Sequence, residues 1–181
     1  MRRLLWLVPV AVVAGVAAWI FLAPPNTVER IRYPLRYKAI VRGHARNYHL
    51  NPALLAAVIE VESKFRADAK SSSGAIGLMQ ILPSTAHGIA VHTGGSGFRT
   101  DDLYNPEINV RYGSWYLRHL LDKYGDDERT ALAAYNAGQD NVDRWLARGT
   151  GIGYPETRAY VDRVERLKGI YRDVWGRQLA L

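Results

Sequence analysis

The stretch Asn51-Pro52-Ala53-Leu54-Leu55-Ala56-Ala57-Val58-Ile59-Glu60-Val61-Glu62-Ser63 decides how this chain is read. The Asn51 side chain is able to accept from the free N–H groups of a first helical turn. Pro52 fits the first helical position, where a missing N–H costs nothing, so a helix is predicted to start here. At about 100° per residue, Leu54, Leu55, Val58 and Ile59 share one apolar arc. Glu62 falls near the middle of that arc and Glu60 roughly opposite. A carboxyl on the apolar face loses hydration, which disfavours its charged form and should raise its pKa above the ordinary glutamate value of about 4.3. An acid kept protonated near neutrality has a proton to donate. The plainer alternative is that Glu62 caps the helix end or pairs with a nearby arginine.

Downstream, Ser71-Ser72-Ser73-Gly74-Ala75-Ile76-Gly77-Leu78-Met79-Gln80 reads as a loop folding back over the Glu62 end of the helix, and Pro83 restarts helix. Asn105-Pro106-Glu107 repeats the helix-start grammar, and Gly125 is expected to stop that helix. Ile108, Tyr112, Trp115, His119 and Leu120 are predicted to form its buried stripe, and Tyr160, Val164, Leu167 and Tyr171 a second stripe after Pro155. No stretch alternates with period two for long enough to argue a sheet. The expected fold is therefore mainly α. A Gly- and Ser-rich segment between Thr93 and Thr100 is expected to form a mobile lip.

Working toward the N-terminus, residues 24–36 hold three prolines and read as a semi-stiff linker, leaving 37–181 as the domain. From Leu4 to Ala23 the chain carries no charge for 20 residues. At 1.5 Å per residue that is a helix of about 30 Å, enough to span a bilayer's hydrocarbon core. A retained transmembrane anchor over 1–23 is expected in preference to a cleaved signal, because the run exceeds a usual signal core and shows only Val16-Ala17-Ala18 as a permissive cleavage site.

Composition narrows the function classes. The 181 residues carry 24 Lys and Arg against 17 Asp and Glu, giving a net charge of +7 that favours anionic surroundings. The basic residues are dispersed and form no nucleic-acid motif, so no nucleic-acid partner is expected. There is no cysteine, which excludes disulfides and thiolate chemistry. His44, His49, His87, His92 and His119 lack metal-ligand spacing, and Gly94-Gly95-Ser96-Gly97 lacks a phosphate loop's ending. No metal or cofactor is expected. Trp115 and Trp145 are expected in the core by their helical spacing.

Four motifs then carry a specific resemblance. Glu62-Ser63, Gly77-Leu78-Met79-Gln80, Ala134-Tyr135-Asn136-Ala137-Gly138 and Glu156-Thr157-Arg158-Ala159-Tyr160-Val161 occur in the order and approximate spacing of the soluble lytic transglycosylase family. The chain resembles that family's catalytic domain from about residue 38 to 172. The resemblance implies a goose-lysozyme-like helical fold with a deep substrate cleft. It also implies cleavage of peptidoglycan between N-acetylmuramic acid and N-acetylglucosamine, leaving a 1,6-anhydro ring. Glu62 matches the family's single catalytic acid and base, and Ser63 its neighbour. Gly77, Leu78, Met79 and Gln80 match the segment lining the sugar cleft, Tyr135 and Asn136 its floor, and Glu156 and Tyr160 the last helix, with Tyr160 expected to hydrogen-bond near Glu62. Packing in the core is the alternative for Met79 and Tyr135.

The expected partner is the peptidoglycan glycan strand, with residues 4–23 in the bacterial cytoplasmic membrane and the domain on its outer side. Partners within an envelope complex are left unnamed. Two other readings stand beside lytic transglycosylase: a hydrolytic muramidase on the same fold, and a non-catalytic glycan-binding module of an envelope complex.

Overall fold

The computed structural model describes Gly15, residues 26–93, Gly95 and residues 97–180. The expected anchor over 4–23 lies, apart from Gly15, outside the described residues, as do Gly94 and Ser96 of the expected lip. Among the described residues no helix is long and apolar enough to cross a membrane. The chain divides into two compact units, one ending at Pro34 and one beginning at Leu35. Within the first unit, Thr27–Arg32 forms a short helix, α1, inside the stretch 24–36 expected to be a semi-stiff linker.

Among its described residues the second unit holds seven helices: α2 (Lys38–Asn47), α3 (Pro52–Ser63), α4 (Pro83–Thr93), α5 (Pro106–Lys123), α6 (Glu128–Ala137), α7 (Gln139–Arg148) and α8 (Pro155–Leu179). A 3-10 turn, Thr100–Tyr104, precedes α5. No strand occurs among the described residues. Two isolated antiparallel bridges, Lys70 with Ile76 and Ile76 with Ile81, tie the loop between α3 and α4.

Both predicted helix starts form as read. The Asn51 side chain accepts from the N–H groups of Ala53 and Leu54 at 2.9 and 3.2 Å, and Asn105 accepts from Glu107 and Ile108 at 2.9 and 3.3 Å. These caps satisfy donors that α3 and α5 would otherwise leave bare, each typically contributing about 1 kcal/mol. Beyond Lys123, Gly125 takes a φ of 63°, consistent with its expected stop.

Helix α3 departs from the one-sided picture. Every residue from Ala53 to Ile59 is buried, because the helix is wrapped by its neighbours and packs most extensively along α8. Glu60 is therefore not a wet counterpart to Glu62. It is half-buried, its hydroxyl partner is Tyr171 at 3.4 Å, and burial pushes its carboxyl up, opposed by Tyr171, Lys64 and Arg36. The stripe predicted on α8 is correct, with Tyr160, Val164, Leu167 and Tyr171 all buried against the core.

The stripe predicted on α5 is correct only for Tyr112 and Leu120. The buried side is formed by Asn109, Val110, Tyr112, Gly113, Ser114, Leu117, Leu120 and Leu121. Ile108 and Trp115 are only partly covered and His119 is exposed. The apolar periodicity was read through large side chains, whereas the real interface includes Asn109, Gly113 and Ser114, which admit the close approach of the loop from α3. Trp145 is buried as expected, against Gly153.

Candidate active site

Glu62 occupies the last turn of α3, where Ser63 and the returning loop close around it. The Ser63 hydroxyl donates to the Leu78 carbonyl at 2.8 Å, with a longer contact to Ile59 at 3.2 Å. This fixes the loop against the helix end. Lys64 and Phe65, at φ 53° and 57°, turn the chain sharply away, and Phe65 is buried.

The loop itself is held from α5 by one side chain. Fully buried Asn109 accepts from the Met79 N–H at 2.7 Å and donates to the carbonyls of Ile76 and Leu103, both at 2.8 Å. Gly77 requires its small size here: φ is 79°, and a Cβ would collide with Asn109 and the Leu103 carbonyl. Gly113 on α5 likewise leaves room for the Met79 side chain.

The Glu62 carboxyl is mostly buried, and burial pushes its pKa from 4.5 to about 7. The opposing influence is a hydrogen bond from the Tyr160 hydroxyl to Oε1 at 2.7 Å, which favours the charged form. Tyr160 comes from the first turns of α8, so the contact joins two helices 98 residues apart in sequence. The Tyr135 hydroxyl donates to the Met79 carbonyl at 2.8 Å. Both phenols are pushed well above their usual range, first by burial and next by the Glu62 charge, so each remains a hydrogen-bond donor near neutrality.

A groove of about 250 Å3 opens beside this cluster, walled by Gln80, Leu82, Tyr116, Tyr135 and Asn136. Of the residues predicted for the site, Gln80, Tyr135 and Asn136 line this groove; Glu62, Ser63 and Tyr160 are not among its walls, and Glu62 is linked to it through Tyr135, whose phenol feels the Glu62 charge. Gly77, Leu78 and Met79 are buried, and this segment supports the groove through the Met79 carbonyl that Tyr135 holds. Gln80, at φ 48°, donates to the Gly77 carbonyl at 2.9 Å. Glu156 stands exposed in the first turn of α8, one residue before Thr157, whose hydroxyl bonds Asn136 at 2.9 Å.

Sequence reasoning missed Asn109, Gly113, Thr157 and Tyr116. Asn109 and Gly113 had a signal: spaced four apart on α5, they are the polar and small residues that interrupt an otherwise apolar face. Tyr116, whose ring centroid lies 5.6 Å from that of Tyr135, had none beyond the same helical register. Among the described residues no group of three His, Asp or Glu side chains is placed to hold a metal.

The family model for the transglycosylase SLT domain matches residues 39–152. A soluble lytic murein transglycosylase of Escherichia coli strain K12 is 31% identical over 156 residues, covering 80% of this chain and 24% of that protein. Membrane-bound lytic murein transglycosylase C of Actinobacillus pleuropneumoniae is 38% identical over 116 residues, covering 59% of this chain and 32% of the relative. The crystal structure of the 70 kDa soluble lytic transglycosylase of Escherichia coli superposes with a TM-score of 0.77 at 30% identity, over 81% of this chain and 26% of that one. An inactive mutant of the lytic transglycosylase Slt from Pseudomonas aeruginosa gives 0.75 at 31% identity, over 81% and 25%. The chain thus spans about a quarter of the length of the soluble relatives it matches, and shares with that quarter a mainly helical, lysozyme-like fold. With the family model covering more than half of its residues, the chain belongs to the transglycosylase SLT domain family.

Proposed function

We propose that this chain is a lytic transglycosylase that cleaves the glycan strands of peptidoglycan, with Glu62 as its single acid and base. The observation that carries the reading is a mostly buried carboxyl with its pKa near 7, bonded by Tyr160 and acting on the phenol of Tyr135, which with Gln80 and Asn136 walls a groove. Near neutrality such a group exchanges a proton in either direction at little cost, as one residue serving both roles requires. Relatives named as lytic murein transglycosylases support the substrate class.

In the first step Glu62 protonates the glycosidic oxygen as the bond to the muramic ring breaks through an oxocarbenium-like state. The resulting carboxylate then takes the proton from that ring's own C6 hydroxyl, which closes onto C1 and leaves a 1,6-anhydro end. Two-carboxylate hydrolysis needs a second acid across the bond. Glu60, the other acid on α3, is turned to Tyr171. A nucleophile already attached to the reacting ring needs no such partner. Ser63 holds the Leu78 backbone, Gly77, Leu78 and Met79 support the groove, and Gln80, Tyr135, Asn136 and the exposed Glu156 contact sugar.

Residues 4–23, 20 without a charge, anchor the chain in the bacterial cytoplasmic membrane, with residues 37–181 on its outer face where peptidoglycan lies. Digestion of purified peptidoglycan followed by mass spectrometry tests the reading. Non-reducing anhydro ends, one water lighter than hydrolysed ends, are expected. Reducing ends would make the protein a muramidase, and glycan binding without cleavage would make it a binding module.

A further inference from the structure

Trp115 forms a wall shared by two grooves that have no residue in common with the one beside Glu62. One, of about 370 Å3, is bounded by Tyr48, Arg111 and Tyr112. The other, of about 360 Å3, is bounded by His49, Arg118 and His119. Both lie away from the proposed chemistry. Trp115 is two residues from Gly113, hence about 200° around α5 from the side that holds Met79. His49 lies three residues before the start of α3 at Pro52, while Glu62 lies near its other end, roughly 15 Å along the helix at 1.5 Å per residue.

The core does not need Trp115, since α5 is sealed by Val110, Leu117, Leu120 and Leu121. Instead, the indole is partly exposed and its neighbours arrange it for contact. The rings of His92 from α4 and His119 from α5 lie at 6.2 and 5.3 Å from it, tilted by only 12° and 3°, so three parallel rings form a ladder at the surface. Arg118 is committed to Asp122 and Asp126. Arg111 is exposed, carries no ion pair among the described residues, and lies 5.3 Å from the Tyr112 ring. The outer side of this stacked aromatic set, flanked by planar hydrogen-bond donors and one uncommitted cation, suits a pyranose bearing N-acetyl and carboxylate groups.

We propose that this face is a second glycan-binding site, holding a neighbouring strand of the wall polymer while Glu62 acts on another. The assignment rests on peptidoglycan being the substrate, as proposed above. On muramic residues free of stem peptide, the anionic lactyl carboxylate complements Arg111 and the net charge of +7. The site keeps the enzyme on the wall between cleavage events, so its loss is felt on the insoluble polymer and not on short soluble fragments.

The test uses the full-length chain in detergent. In a Glu62→Gln background, which leaves bound wall undigested, Trp115→Ala and Arg111→Glu are expected to weaken co-sedimentation with purified peptidoglycan by about tenfold, with Trp115→Tyr close to the parent. Peptide-free glycan strands should compete for this binding. With Glu62 present, Trp115→Ala should slow digestion of insoluble wall yet leave turnover of a soluble tetrasaccharide within about twofold. Unchanged sedimentation of both variants overturns the proposal. So does an equal loss on the tetrasaccharide, which places Trp115 in the Glu62 groove, or competition by free stem peptide alone. Trp115-dependent sedimentation in a wild-type protein that releases no anhydro ends would support this site while refuting the proposed reaction.

Discussion

The Tyr160 hydroxyl donates a 2.7 Å hydrogen bond to the Glu62 carboxyl, joining the start of α8 to the end of α3. Burial raises the Glu62 pKa and this bond restrains the rise. The phenol therefore sets how readily the acid releases its proton, in addition to orienting it.

Tyr160→Phe removes a bond to the charged form, so the Glu62 pKa moves above about 7. Because cleavage begins with protonated Glu62, the alkaline limb of the kcat/KM profile should move to higher pH in the variant. A profile that falls in amplitude without moving would show that Tyr160 does not act on the Glu62 proton.

Glu62 also links stability to pH. Its folded pKa, about 7, lies above the unfolded value near 4.5, so between these limits the folded state binds more protons and stability declines as pH rises. Above pH 7 the ionised carboxyl costs about 3 kcal/mol relative to a neutral one. Glu62→Gln should abolish cleavage, a loss of about 100-fold or more. It should also stabilise the fold at pH 8, an advantage that shrinks toward pH 4.5. Urea unfolding of both proteins across that range reads the difference, and a pH-independent gap would contradict it.

Much of this arrangement was legible in the sequence because it depends on local grammar. Asn51-Pro52 and Asn105-Pro106 state their helix starts through cap chemistry that acts within one turn. Glu62 stood out as an acid in the middle of an apolar arc, although α3 is buried on all sides from Ala53 to Ile59 and not on one oily face. Trp115 was misplaced because helical spacing reports which residues share a face, and not what that face meets. Asn109 and Thr157 were missed because their partners, a loop backbone and Asn136, are brought near only by the tertiary fold.

Asn109→Ala should expose that dependence. It leaves the Met79 N–H and two carbonyls without their buried partner, and unfolding experiments should register a loss of ~3 kcal/mol or more. A loss under about 1 kcal/mol would mean water replaces the side chain.

Gly113→Ala tests the packing beneath the groove. Its Cβ would strike the Met79 side chain, which is fully buried and must shift or carry the loop with it. A destabilisation of about 1–3 kcal/mol and a fall in cleavage rate are expected, measured by thermal unfolding and wall digestion. Wild-type values in both would show that Met79 has room to yield.

The most direct measurement is the titration of the Glu62 carboxyl itself, by 13C NMR of protein labelled at glutamate side chains, with Glu62→Gln assigning the resonance. An inflection near pH 7, moved upward by Tyr160→Phe, is the predicted result. An inflection near 4.5, insensitive to Tyr160, would describe a solvated glutamate and contradict its role as acid and base.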